Sequence, residues 1–152
     1  MNNLTKIRIN RPAEDVFEAF IDPAKIGNFW FSSSSERWAS GRTITLRYDE
    51  YNAEGDIRVL EMETNRKIIF RWGAEVDGVG HVVIITLEES GTGVAGEAST
   101  VVSVEEAGFD ECDDQLLPLM LDNKEGWVYA LTCLKAYLEF GVTRLRSGLV
   151  KG

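Results

Sequence analysis

The sequence predicts an α+β domain, a curved antiparallel β-sheet wrapped around a long carboxy-terminal α-helix, with two short helices after the first strand. Three observations predict it. Trp127, Leu131, Leu134 and Leu138 recur at helical spacing, with Ala130 and Tyr137 widening the stripe. From Thr43 to Val104 the apolar period is two instead, and the links between the runs are too short for crossover helices. Proline and glycine punctuate the chain where these patterns begin and end.

Leu4 to Ile9 alternates and reads as a half-buried strand. Pro12 opens a helix, since its missing N–H has no partner in a first turn, and Val16, Phe17, Phe20 and Ile21 form its apolar face. Asp22-Pro23 ends it, because a residue before proline is pushed out of the helical region. A second short helix over Pro23 to Asn28 leads into Phe29, Trp30 and Phe31, which tether a serine-rich loop. Period-two runs follow around Ile44, Leu46 and Tyr48, then Ile57 and Val59, then Ile68, Phe70 and Trp72, then Val83, Ile85 and Leu87, with a last strand over about Val94 to Val104. Turns are expected at Asn52 to Gly55, Thr64-Asn65, Asp77-Gly78 and Ser90 to Gly93, so the strands form a meander of hairpins. Glu105 to Leu121 reads as an acid-rich loop.

The long helix is expected over Asp122 to Gly141. Asp122 and Glu125 have the spacing of a capping box, and Gly141 stands where a left-handed residue ends a helix. Glu125, Thr132, Lys135 and Glu139 fall on its polar face. Each large apolar side chain it buries contributes roughly 1.5–3 kcal/mol, so the stripe is a major part of the core.

Composition narrows the function. The chain has 152 residues, 44% of them hydrophobic, enough for a single domain over residues 1–152. A net charge of -9 argues against nucleic acid and anionic membranes, and Arg144, Arg146 and Lys151 read as a solvated basic end. Without an apolar span or a leader pattern, a cytoplasmic location is expected. Cys112 and Cys133 lack metal or redox spacing and read as thiols. With one histidine, His81, no histidine-rich or thiolate metal site is available; Asp110, Glu111, Asp113 and Asp114 lack the glycine and closing glutamate of a calcium loop. The GxGxxG string over residues 91–96 precedes a strand where a dinucleotide site needs a helix, so it reads as a hairpin turn and no cofactor is expected.

The order of motifs resembles a known group. Pro12 to Phe20 followed by Asp22-Pro23 and Phe29-Trp30, then Trp38 with Gly41-Arg42, and Val59 to Met62 before Arg66 to Ile68, Phe70 and Trp72, resemble the START-like, pollen-allergen-like (SRPBCC) superfamily. Gly108-Phe109 and Gly126-Trp127, with Leu131, Leu134, Tyr137, Leu138 and Glu139, are similar to the ending of its branch of heat-shock protein 90 ATPase activator homologues. The resemblance implies a helix-grip fold around a cavity. It departs from the branch at Glu105-Glu106-Ala107, where members often carry a histidine. The activator that names the branch has an additional amino-terminal domain that does not fit within this chain, which makes a direct role with that chaperone a secondary expectation.

The cavity is expected to hold a hydrophobic or aromatic small molecule, a lipid or polyketide-like compound, lined by Trp30, Trp38, Tyr48, Phe70, Trp72, His81, Val83, Ile85, Trp127, Leu131 and Leu134. Tyr48, Arg58, Arg71 and His81 are the candidate polar contacts. Two alternatives stay open. A cyclase-, aromatase- or hydrolase-like enzyme requires an inward titratable pair, such as His81 with an acid. A chaperone-regulating or other protein-interaction module requires an exposed apolar patch, expected around Phe29 to Phe31.

Overall fold

The structure, a computed structural model, describes residues 1–73, 80–91 and 96–150. The expected turn at Asp77-Gly78 and most of the GxGxxG string lie outside the described residues. Strand β1 (Asn3–Ile9) leads into helices α1 (Ala13–Ile21) and α2 (Pro23–Ile26). A two-residue strand β2 (Ser33–Ser34) follows, within the segment expected to be a loop. Then come β3 (Thr43–Tyr48), β4 (Ala53–Glu63), β5 (Lys67–Trp72), β6 (Val82–Ser90), β7 (Ser99–Ala107) and helix α3 (Leu116–Phe140). The strands form one antiparallel sheet in the order β1-β7-β6-β5-β4-β3-β2. This is the α+β, helix-grip arrangement that the sequence predicts.

Period two is realised residue by residue. Ile44 and Leu46, Ile57 and Val59, Ile68 and Phe70, Val83 and Ile85, and Val102 and Val104 all point to one buried face. Between Val59 and Glu61 the register shifts by one residue, leaving Leu60 unpaired and exposed. Such a bulge bends its strand and adds to the curl of the sheet. The turn before β4 comes earlier than expected: a 3-10 turn over Asp49–Tyr51 ends at Asn52 in the left-handed region, and Ala53 to Gly55 already belong to the strand.

Helix α1 buries Val16, Phe17, Phe20 and Ile21 under one end of the sheet. Helix α3 begins six residues before the expected capping box, so Asp122 and Glu125 do not cap it; Gln115 precedes its first turn without a side-chain bond. Its carboxy end is as expected, with Gly141 at φ 69° and its N–H on Tyr137 O at 2.9 Å. Trp127, Ala130, Leu131 and Leu134 are buried, while Tyr137 and Leu138 pack against the core's margin. The polar side of the helix is partly a clamp. Lys124 and Lys135 donate to the carbonyls of Leu4 and Arg8 on the free edge of β1, and Glu139 accepts from Asn10 N at 2.9 Å. The helix thereby covers a sheet edge that would otherwise be open to pairing.

Candidate functional site

Trp30 sits at the centre of an aromatic cluster, with ring centroids 5.2 Å from Trp127, 6.2 Å from Trp72 and 4.8 Å from Phe31. Phe29 and Trp30 are buried and Phe31 is half-buried, so no exposed patch exists at these residues, contrary to the expectation for a protein-interaction module. They pack inward because α2 turns the chain back: Trp30 N bonds Ile26 O at 3.0 Å.

Beside this cluster lies a pocket of about 430 Å³ between α3, the end of β3, Trp72 and the chain after α3. Of the residues expected to bind a ligand, Trp30, Tyr48, Trp72 and Trp127 line it. Trp38, Phe70, Val83, Ile85, Leu131 and Leu134 are fully packed in the core and do not reach it. His81 is also outside the lining. Arg58 and Arg71 are cross-strand neighbours on the sheet face opposite the core, so they do not face a ligand here.

His81 instead bonds Glu106. The Glu106 carboxyl group is 2% exposed; its Oε1 accepts the indole N–H groups of Trp72 and Trp127 at 3.1 and 3.0 Å, and its Oε2 lies 2.7 Å from His81 Nδ1. A buried polar group needs partners, and here one carboxyl group serves three. It fixes two pocket walls from behind and turns their N–H groups away from the pocket. Gly108, at φ 113°, permits this approach, since a Cβ there would stand 2.9 Å from His81 Cδ2. The segment from Glu105 is expected to be a loop, but β7 runs on to Ala107, and Glu106 continues the inward series of Val102 and Val104, the period-two signal that could have found it.

Of the basic end expected to be solvated, Arg144 is exposed, Lys151 lies outside the described residues, and Arg146 departs from the expectation. Arg146 is buried and donates from Nε to Trp30 O at 2.7 Å, from Nη1 to Glu50 Oε2 at 2.6 Å, and from Nη2 to Glu50 Oε1 at 3.1 Å and Ser32 Oγ at 2.8 Å. Its guanidinium lies 4.7 Å from the centre of the Tyr48 ring. Three phenols hold the same segment: Tyr48 donates to Arg146 O at 2.6 Å, Tyr129 to Leu145 O at 2.5 Å, and Tyr51 to Leu149 O at 3.3 Å. The chain from Val142 to Val150 is thus a strap, and Arg146 and Leu149 form one wall of the pocket. Arg146 beside Glu50, with a backbone N–H, holds the Glu50 carboxyl down to about 2. Burial pushes the Tyr48 phenol and the Cys133 thiol up, so neither is an activated nucleophile.

Among the described residues no group of three histidine, cysteine or acidic side chains is placed to hold a metal ion. Asp110 and Asp113 accept from the backbone N–H groups of Cys112 and Gln115, local turns that occupy the acidic segment. Among the described residues no helix is long and apolar enough to cross a membrane.

A curved antiparallel sheet closed by a carboxy-terminal helix beside an aromatic pocket defines a START-like protein of the helix-grip class. Within that class, the chain belongs to the family of activator of Hsp90 ATPase homolog 1-like proteins, whose family model matches residues 10–139. The protein SSP2350 from Staphylococcus saprophyticus is similar over 94% of this chain and 95% of its own, at 51% identity and a TM-score of 0.79. The Aha1 dimer from Colwellia psychrerythraea shares the fold at 21% identity and a TM-score of 0.75, over 93% of this chain and 98% of its own. DynU16, a protein in the dynemicin biosynthetic locus, matches at 25% identity and a TM-score of 0.74, over 95% of this chain and 49% of its own. No curated protein matches the chain.

Proposed function

We propose that this protein binds a hydrophobic or aromatic small molecule, of lipid or polyketide-like character, in the pocket beneath the strap, and acts in the cytoplasm as a binding protein rather than a catalyst. The observation that carries the reading is the wall of three indoles, Trp30, Trp72 and Trp127, around a space of about 430 Å³, within the range of small-molecule sites. The similarity to a protein in the dynemicin biosynthetic locus supports a polyketide-like ligand. The His81–Glu106 pair, which an enzyme reading would recruit, lies behind two pocket walls and not in the lining.

Association with a protein partner, such as the chaperone that names the family, is the second reading. It is favoured by Leu117, Leu121 and Val128, which are exposed on one face of α3. A thermal-shift screen against fatty acids, sterols, flavonoids and aromatic polyketides separates the two. A ligand at a hundred times its Kd raises stability by about 2.7 kcal/mol, read as a higher Tm. Silence across the panel contradicts the small-molecule reading and directs partner assays to Leu117→Asp and Leu121→Asp variants.

A further inference from the structure

The polar chemistry of the pocket bears on the charge of what it admits, an argument that rests on the small-molecule reading above. Among the described residues Arg146 is the one cation in the lining. Its charge is already matched, because two of its nitrogens lie on the Glu50 carboxyl group and its Nε on a backbone carbonyl. A guanidinium in a two-pronged pair with a carboxylate has little left for a second anion. Glu50, held down to about 2 by that contact, is ionised throughout the neutral range.

Of the other donors, Asn123 contributes a neutral amide, whose Oδ1 accepts from Asn3 Nδ2 at 3.1 Å, and most of the rest point elsewhere. Trp72 and Trp127 donate to Glu106, and the hydroxyl protons of Tyr48, Tyr51 and Tyr129 go to strap carbonyls. What faces the space is chiefly aromatic surface, whose ring faces carry negative potential, with Asn123 and Asp122 also in the lining. The whole chain adds a formal charge of -9. A carboxylate or phosphate entering this site would lose its hydration without gaining a cation.

We infer that the pocket admits neutral and cationic aromatic molecules and rejects anions of the same size, and that Glu50 sets this selectivity by occupying Arg146. Glu50 itself is outside the lining, so it acts through the guanidinium and not by touching the ligand.

The test uses three probes of one size: 2-naphthylacetamide, 2-(2-naphthyl)ethylammonium and 2-naphthylacetate, titrated at fixed ionic strength. In the wild-type protein the amide and the ammonium bind, and the carboxylate binds about tenfold more weakly or worse. In Glu50→Gln the carboxylate-to-amide affinity ratio rises about tenfold, and in the Glu50→Gln, Arg146→Met double variant that gain disappears. A carboxylate that binds the wild-type protein as well as the amide overturns the inference while leaving the pocket reading intact. So does an unchanged ratio in folded Glu50→Gln. If none of the probes binds, the pocket reading itself fails and takes this inference with it. The wild-type ranking decides the matter even where a variant does not fold.

Discussion

Glu106 and Glu50 are both acids near the aromatic cluster, yet their positions give them opposite consequences. Glu106 is buried behind two indoles, so Glu106→Ala strands two N–H donors and a histidine nitrogen and costs about 3 kcal/mol or more. Glu106→Gln keeps an acceptor for both indoles and costs clearly less; urea unfolding of the two variants measures the difference, and equal losses would contradict the clasp. Glu50 is on the exposed side of its pair, and its effect is read in acid. Its pKa is about 2 in the folded chain against an ordinary 4.5, so between those values the fold holds fewer protons than the unfolded chain. The stabilisation is therefore complete above pH 4.5 and is lost as pH falls toward 2. The gap in Tm between wild type and Glu50→Gln is expected to be constant near neutrality and to close across that window. A gap that persists at the acid end would show that the pair is not its source. Glu106 is missed where the expected strand ends at Val104 and the acids after it read as a loop, although its parity with Val102 and Val104 is a usable signal. Arg146 offers no such signal, because its partner Glu50 is 96 residues away and no local pattern links them.

At the scale of elements, α3 and the strap divide the work. The apolar stripe of α3 was legible because burial imposes its period on the sequence, and its carboxy end was legible because Gly141 takes a conformation other residues resist. Its start was not. Leu117, Leu119 and Leu121 are exposed, so the first turns carry no burial pattern, and Asp122 with Glu125 imitates a cap in mid-helix. The strap was illegible for a different reason: it is held by side chains of other elements and not by its own regular structure. Arg146→Leu removes its central pin and is expected to lower Tm by several degrees while exposing Trp30 to acrylamide quenching. Arg144→Leu, at an exposed neighbour in the same segment, is expected to leave both unchanged. Equal behaviour of the two variants would mean that the strap does not cover the cluster.

For the molecule as a whole, alternation and short turns were enough to specify the meander from β3 to β7, since a one-residue slip would reverse every strand's buried face. They did not specify β2 or the pairing of β1 with β7. They could not separate pocket from core. Trp30, Trp72 and Trp127 line the space, whereas Trp38, Phe70 and Leu131 are written in the same kind of residue and are fully packed. That distinction depends on where the strap and α3 leave room, which no single element encodes. The most direct measurement follows from it. The chain has four tryptophans, hence four indole N–H resonances to assign in a ¹⁵N-labelled sample. Titration with a neutral aromatic, N-phenyl-1-naphthylamine, is expected to shift the signals of Trp30, Trp72 and Trp127 together, saturably, and to leave Trp38 in place. Saturable binding that moves Trp38 as much as the other three, or no shift in any of them, would contradict a ligand pocket beneath the strap.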